Sequence, residues 1–146
     1  MDISFTPEQL GDLEKSREKK IILFTCNWQA YSGLEAAGAA HLKYSPYVYP
    51  IKVTCLGQLS SGIILKAFEK GAYGVLLIGC PPGECHFEFG NKEIESVFCE
   101  VKELITNLGY KDQQCKLAWI PNGDGQAFIK LVEKFITDLE TDPDIR

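Results

Sequence analysis

Four short apolar runs alternate with segments of helical periodicity, and this alternation constrains the fold more than any other feature. The runs lie at residues 21–25, 49–54, 74–79 and 116–120. Short apolar runs bounded by turn residues are typical of strands buried on both faces. Strands that alternate with helices form parallel sheets, whose right-handed crossovers place helices on both sides. We therefore expect a single three-layer α/β domain with a parallel sheet of about four strands, in the order βαβαβαβα.

The helical segments carry recognisable start and stop signals. Ser60 and Asp124 are suited to cap the helices that follow them. Gly71 and Gly109 are placed where a helix would end. The strongest periodicity begins near Asn91 and forms one apolar stripe. The residues of this stripe are Ile94, Val97, Phe98, Val101, Leu104, Ile105 and Leu108.

The chain of 146 residues has the length of one ordinary domain, and it divides into three parts. Residues 1–19 form a polar lead-in, in which a short helix is expected after Thr6 and Pro7. Residues 20–140 form the α/β domain, and residues 141–146 form a polar tail that we expect to be frayed. The lead-in lacks the apolar stretch of a signal peptide.

The composition excludes some classes of function. A net charge of −5 and a pI near 5.1 argue against a nucleic-acid-binding surface, which needs clustered lysine and arginine. No apolar run approaches the ~18 residues of a membrane span. We therefore expect a cytoplasmic protein with no transmembrane segment and no nucleic-acid partner. In that compartment thiols stay reduced, and clustered cysteines more often bind metal or do redox work than form disulfides.

Cysteines follow three of the predicted strands. Cys26, Cys55 and Cys80 stand where the first three strands end, and Cys85 follows soon after. The carboxyl ends of neighbouring parallel strands lie side by side, at the edge where open α/β sheets bind ligands. Four thiolates that meet there suit a soft metal, above all an iron–sulfur cluster or zinc. The sequence therefore predicts a metal site with these four cysteines as ligands.

Alternatives remain at this point. Cysteine often acts as a small buried hydrophobe, although four at one sheet edge make that explanation weaker. Structural zinc sites usually use two short cysteine pairs, whereas only Cys80 and Cys85 form such a pair here, which favours a cluster. A third possibility is a metal-free thiol–disulfide module in which Cys80 and Cys85 pair reversibly.

Other candidate residues are assigned by their positions. Cys99 falls opposite the apolar stripe of its helix, and Cys115 begins the fourth strand at the far edge of the sheet, so neither belongs to the site. His86 is expected to hydrogen bond near the ligands rather than to replace one. Trp28, two residues after Cys26, is placed to shield the site from water or to pack at its rim.

Several motifs together resemble one known family. They are Cys26-Asn27-Trp28, Val53-Thr54-Cys55-x-Gly57, Leu65-Lys66-Ala67-Phe68-x-x-Gly71-Ala72-x-Gly74-Val75-Leu76 and Gly79-Cys80-x-Pro82-Gly83-x-Cys85-His86. They are similar to the delta subunit of methyl-viologen-reducing hydrogenase. The resemblance implies a small electron-transfer protein with one 2Fe-2S cluster and no bond chemistry on a substrate. It also implies docking on the heterodisulfide reductase A-like flavoprotein subunit, with electrons supplied by a hydrogenase, a formate dehydrogenase or another oxidoreductase.

One position departs from the family pattern. The family commonly has two cysteines separated by two residues at the end of the first strand, whereas here the second is replaced by Gln29. Four cysteines remain, which is enough for a 2Fe-2S cluster. We expect Gln29 to donate a hydrogen bond to a cluster sulfur, beside the ligands Cys26, Cys55, Cys80 and Cys85.

Overall fold

A computed structural model describes residues 20–26, 28–43, 45, 47–81, 90–121, 123–143 and 145 of the chain. The strands are β1 (Ile21–Cys26), β2 (Val48–Val53), β3 (Gly74–Gly79) and β4 (Cys115–Trp119). The helices are α1 (Gln29–Ala39), α2 (Ser61–Glu69), α3 (Gly90–Asn107) and α4 (Gly125–Thr141). Short 3₁₀ turns at Leu56–Gln58 and Asp112–Gln114 precede α2 and β4. Strands and helices therefore alternate as the sequence predicts.

All four strands are parallel, in the order β2-β1-β3-β4. Helix α1 packs against α4, and α2 packs against α3. Right-handed crossovers place the first pair on one face of the sheet and the second pair on the other. The predicted three-layer α/β domain is confirmed. Within the described residues, no helix is both long and apolar enough to cross a lipid bilayer.

The core lies on both faces of β3, in which all six residues are buried. Phe128 and Phe135 of α4 are the largest fully buried side chains. Helices α1 and α4 approach each other closely because Gly125 has no side chain. A Cβ at Gly125 would lie 2.7 Å from the backbone nitrogen of Ala37. A glycine is therefore required where these two helices meet.

The predicted helix signals are present in the structure. Ser60 Oγ accepts a hydrogen bond from the Ile63 N–H at 3.3 Å, and Asp124 Oδ1 accepts one from the Ala127 N–H at 2.9 Å. Past the ends of α2 and α3, Gly71 and Gly109 adopt positive φ values of 97° and 96°. The caps and stops indicated by the sequence therefore mark the true ends of these helices.

The structure differs from the sequence-based prediction in the apolar stripe of α3. Leu108 was expected to face the core, but it lies one residue beyond the helix and is 66% exposed. The tail was expected to begin at Thr141, which is the last residue of α4, and Ile145 beyond it is buried. Residues 1–19 and their expected short helix lie outside the described residues.

Candidate functional site

The strand order creates a crevice between β1 and β3. These strands are neighbours, yet the chain leaves β1 towards β2 over one face of the sheet and leaves β3 towards β4 over the other. Such a reversal opens a gap beyond the carboxyl ends of the two strands, where open α/β sheets bind ligands. Cys26 is the last residue of β1, and Cys80 directly follows β3. Both cysteines therefore stand at this gap.

The sulfur atoms of Cys26 and Cys80 lie 3.4 Å apart. This separation exceeds the ~2.05 Å of a disulfide bond, so the two sulfurs are in contact without being bonded. The residues are only 2% and 3% exposed, respectively. Two buried thiols from distant parts of the chain thus meet at the predicted edge of the sheet.

Close packing around Gly79 holds the end of β3 in place. A Cβ on this residue would lie 2.8 Å from Leu56 Cδ1 and 3.0 Å from Trp119 Cζ3. Both side chains therefore pack directly over the glycine that precedes Cys80. Leu56 is itself buried, and it is the first residue of the 3₁₀ turn that follows Cys55.

Cys55 lies in a turn stabilised by its own sulfur. It has extended backbone geometry, with φ −153° and ψ 142°, and it caps the 3₁₀ turn at Leu56–Gln58. The Gly57 N–H donates a hydrogen bond to Cys55 Sγ at 3.4 Å. Cys55 is 7% exposed. Hydrogen bonds of this kind orient sulfur ligands and tune the reduction potentials of clusters.

The cysteine pair fits metal ligation. Two thiolates on one tetrahedral metal ion, with metal–sulfur bonds of roughly 2.3 Å, lie roughly 3.8 Å apart. The 3.4 Å separation of Cys26 and Cys80 is close to this value. Among the described residues, no group of three or more histidine, cysteine or acidic side chains is arranged to hold a metal ion. Cys85 and His86 lie in the segment 82–89, outside the described residues.

Two further predicted site residues lie at the start of α1. Gln29 is the first residue of this helix, but its side chain is not among those that the structure describes. Trp28 precedes the helix and is 40% exposed. Its exposure places it at the protein surface two residues after Cys26.

The two cysteines assigned elsewhere are separate from this site, as predicted. Cys99 is exposed on α3. Cys115 is fully buried at the amino end of β4, the edge of the sheet opposite to Cys26 and Cys80. Burial raises the pKa of the Cys115 thiol to about 12, an effect that Lys102 opposes and Asp112 reinforces. Cys115 is consequently protonated near neutral pH.

The packing around the strand end that precedes Cys80 was not predicted from the sequence. Two glycines in the sequence could have indicated this packing. Gly79 directly precedes Cys80, and Gly57 lies two residues after Cys55. Glycine beside a predicted ligand often marks close backbone approach or an N–H that reaches a ligand. The identity of the covering residues, Leu56 and Trp119, depends on the tertiary structure.

The fold and the site together define an α/β protein with converging cysteines at the reversal point of a parallel sheet. The sequence matches the family described as methyl-viologen-reducing hydrogenase, delta subunit, over residues 21–141. The chain belongs to this family.

Several known proteins are similar to this chain. The iron-sulfur D subunit of the F420-non-reducing hydrogenase vhc of Methanococcus voltae is 36% identical over 111 residues, which are 76% of this chain and 77% of that protein. The iron-sulfur D subunit of the F420-non-reducing hydrogenase of Archaeoglobus profundus is 32% identical over 118 residues, 81% and 86% of the two chains. The A subunit of the ferredoxin/F(420)H(2)-dependent CoB-CoM heterodisulfide reductase of Methanosarcina acetivorans is 29% identical over 126 residues, 86% of this chain but 16% of that protein.

Proposed function

We propose that this protein is an electron-transfer subunit that carries one 2Fe-2S cluster held by Cys26, Cys55, Cys80 and Cys85. The observation that carries this proposal is the contact between two buried sulfurs, Cys26 Sγ and Cys80 Sγ, 3.4 Å apart at the reversal point of the sheet. The names of the two hydrogenase relatives, which include the words "iron-sulfur", support this choice of cofactor.

The proposed partner is a heterodisulfide reductase A-like flavoprotein subunit. In Methanosarcina acetivorans and Methanosarcina mazei, the matching segment is 16% of a protein named as the A subunit of a heterodisulfide reductase. A domain that is fused to this protein in some organisms is suited to bind it as a separate chain in others. The electron donor would be a hydrogenase, a formate dehydrogenase or another oxidoreductase, and the complex would be cytoplasmic.

Different residues of the chain would have different roles at such a site. When bound, a 2Fe-2S cluster accepts and releases single electrons. The thiolates of Cys26 and Cys80 would hold it in a buried position, and the Gly57 N–H would stabilise charge on Cys55 Sγ. Trp28 offers an exposed aromatic surface next to Cys26, of the kind enriched where proteins dock. No residue is required to break or form substrate bonds.

Electron transfer between purified proteins tests this function. The protein would be reduced under anaerobic conditions and mixed with the A-like flavoprotein from the same organism, while flavin absorbance is recorded. The proposal expects reduction of the flavin and co-elution of the two proteins. Flavin that stays oxidised, with no co-elution, would contradict it. The Cys80→Ser variant serves as the control that should fail to transfer electrons.

A metal-free thiol–disulfide module is the second candidate, and the same sulfur contact favours it. The contact favours Cys26 and Cys80 as the reactive pair, in place of the predicted pair of Cys80 and Cys85, because Cys85 lies outside the described residues. Exchange with a disulfide of a partner would oxidise Cys26 and Cys80 to a disulfide, with only a small movement from 3.4 Å, and the two electrons and two protons would reduce the partner's disulfide to two thiols. This function predicts a colourless protein whose thiol count falls by two on oxidation.

A structural zinc scaffold predicts bound zinc, no visible absorption and loss of the folded state under chelation.

A further inference from the structure

An apolar groove lies beside the edge strand β2, on the face of the sheet that carries α2. Its volume is about 510 Å³. Phe24 of β1 and Ile51 of β2 are partners in the sheet and line the groove together with Ile63 and Ala67 of α2. Helix α2 packs against β3 and α3, and within the described part of the chain Ile51 stays 42% exposed.

Exposed side chains continue the apolar surface of this groove. Ile63 is 45% exposed. Tyr49 is 47% exposed and lies two residues before Ile51 in β2, so both side chains are on the same face of the sheet. Lys20 Nζ lies 4.8 Å from the centre of the Tyr49 ring. A contiguous apolar surface with an exposed aromatic side chain usually marks a place where another protein binds.

The free edge of β2 is poorly suited to pair with another strand. The Ile21 N–H donates a hydrogen bond to the Tyr47 carbonyl at 2.9 Å, so Tyr47 and every second residue after it turn their backbone groups towards β1. Pro50 falls between these residues, and its nitrogen, which carries no hydrogen, is on the free edge. Proline at such a position disfavours extension of the sheet. A partner on this side of the protein therefore binds to the groove on the face of the sheet.

The groove also has a positive border, although the whole chain has a net charge of −5. Lys20, Lys66 and Lys70 line it. Lys66 pairs with Glu69 at 3.1 Å, whereas none of the described residues that line the groove is acidic. The chemistry of this surface therefore matches a segment that combines apolar side chains with carboxylates.

One end of the groove lies beside the converging cysteines. Phe24 and Cys26 are two residues apart in β1, which puts them on the same face of the sheet with Cα atoms roughly 7 Å apart. Ser60, which also lines the groove, is five residues after Cys55. A protein that binds in the groove is consequently held next to the proposed cluster ligands, where an electron donor or acceptor has to be.

We propose that this groove is the docking site for the A-like flavoprotein, and that it binds a segment of that protein in which carboxylates flank apolar side chains. The apolar side chains pack on Ile51 and Ile63, and the carboxylates pair with Lys66 and Lys70. A second copy of this chain fits less well, because a symmetric contact would place two lysine-bordered surfaces against each other. The inference rests on the proposed electron-transfer function.

The affinity of the purified A-like flavoprotein for the intact protein, measured under anaerobic conditions, tests the proposal. Ile63→Gln should weaken binding about tenfold, which corresponds to ~1.4 kcal/mol. Leu108→Gln changes an aliphatic side chain that is 66% exposed outside the groove, and it should bind as wild type does. Iron content and the visible spectrum should be the same in both variants, because neither substitution is at a cysteine.

The outcomes separate the docking site from the proposed function. If wild type and both variants bind the flavoprotein with equal affinity, the docking site is wrong and the electron-transfer function stands. If the wild-type protein neither binds nor reduces the flavoprotein, the proposed function is wrong and the docking site fails with it.

A pair of double variants tests the contribution of charge. Lys66→Gln combined with Lys70→Gln should weaken binding at low salt and have little effect at high salt, because salt screens the pairs with carboxylates. Lys130→Gln combined with Lys134→Gln is the matched control. These two lysines are also four residues apart, and they are exposed on α4, on the other face of the sheet. Equal effects of the two double variants would overturn the proposal.

Zero-length cross-linking of the complex identifies the occupant of the groove. A carbodiimide joins carboxylates to lysines only where they are in contact. The proposal expects links from Lys66 or Lys70 to carboxylates of the flavoprotein. Links from these lysines only to carboxylates of this protein, within one chain or between two copies, would mean a different occupant and would overturn it.

Discussion

Cys26 Sγ and Cys80 Sγ are in contact at 3.4 Å, although 54 positions separate these residues in the chain. The contact arises because β1 and β3 are neighbours and both end at the same edge of the sheet. Both thiols are buried. Cys55 is also buried, and it follows β2, the strand that pairs with β1 on its other side. The fold therefore brings Cys26 and Cys80 together and keeps Cys99 and Cys115 away from them.

Substitution of a proposed ligand should deplete the cofactor, whereas substitution of a distant cysteine should not. We expect Cys55→Ser to lose most of its bound iron, because a hydroxyl is a poor ligand for a soft metal site. Cys99→Ser changes an exposed thiol on α3 and should retain the wild-type iron content. Metal analysis of both variants, purified side by side, checks this. Equal iron in the two would refute the ligand assignment.

Gly79→Ala should disturb the site through packing. The new methyl group would collide with Leu56 and Trp119, at a cost of about 1–3 kcal/mol in the free energy of unfolding. Cofactor loading should fall because Gly79 directly precedes Cys80 and Leu56 belongs to the turn that Cys55 caps. Gly38→Ala is the matched control, since its Cβ meets nothing within 4 Å, and it should stabilise helix α1 by about 0.5–1 kcal/mol. Urea denaturation of both variants measures these changes, and a Gly79→Ala protein as stable as wild type would contradict this account of the packing.

Thr25→Val should leave the protein as stable or more stable. Thr25 Oγ1 is buried and has no hydrogen-bond partner among the described residues. An unpaired buried hydroxyl costs about 1–3 kcal/mol, and valine has nearly the same shape without the hydroxyl. Thr106→Val removes an exposed hydroxyl that donates to the Lys102 carbonyl at 2.8 Å and should not stabilise the protein. Thermal unfolding compares the two, and a marked loss of stability in Thr25→Val would show that the hydroxyl is paired.

Stability should fall at alkaline pH because of Cys115. The pKa of this thiol rises from an ordinary value of 9.0 to about 12 in the folded protein, where burial disfavours the thiolate. The stabilising effect of the buried neutral thiol is complete below pH 9 and is lost progressively between pH 9 and 12, because the unfolded chain ionises first. The free energy of unfolding should decline by up to ~1.4 kcal/mol per pH unit in this window.

Two cysteine variants isolate this effect. Cys115→Ala should show a shallower decline than wild type when urea denaturation is repeated at rising pH, whereas Cys99→Ala should keep the wild-type slope. Burial also raises the pKa of Tyr73, so Tyr73 adds to the loss of stability at alkaline pH equally in every variant. Identical slopes in the two variants would contradict the assignment to Cys115.

The elements of the fold could be predicted from sequence because their signals are local. Ser60 and Asp124 bind backbone N–H groups only three residues away, and β3 coincides with an unbroken apolar run. The strand order could not be predicted, since periodicity contains no information about which strands pair. The contact between Cys26 and Cys80 follows from that order, so the sequence placed both cysteines at the correct edge without showing that they touch.

The errors in the prediction have physical causes. Helical periodicity included Leu108, but helix α3 ends at Asn107, so that side chain lies beyond the face that packs on the sheet. The packing of Leu56 and Trp119 on Gly79 involves three segments that are distant in the chain, so no local sequence pattern predicts it.

Iron and acid-labile sulfide, measured on the anaerobically purified protein together with its visible spectrum, test the central claim most directly. The account predicts a brown protein with about two irons and two sulfides per chain. A colourless protein with neither, both alone and in complex with its partner, would contradict the cluster and favour zinc or a thiol pair at Cys26 and Cys80.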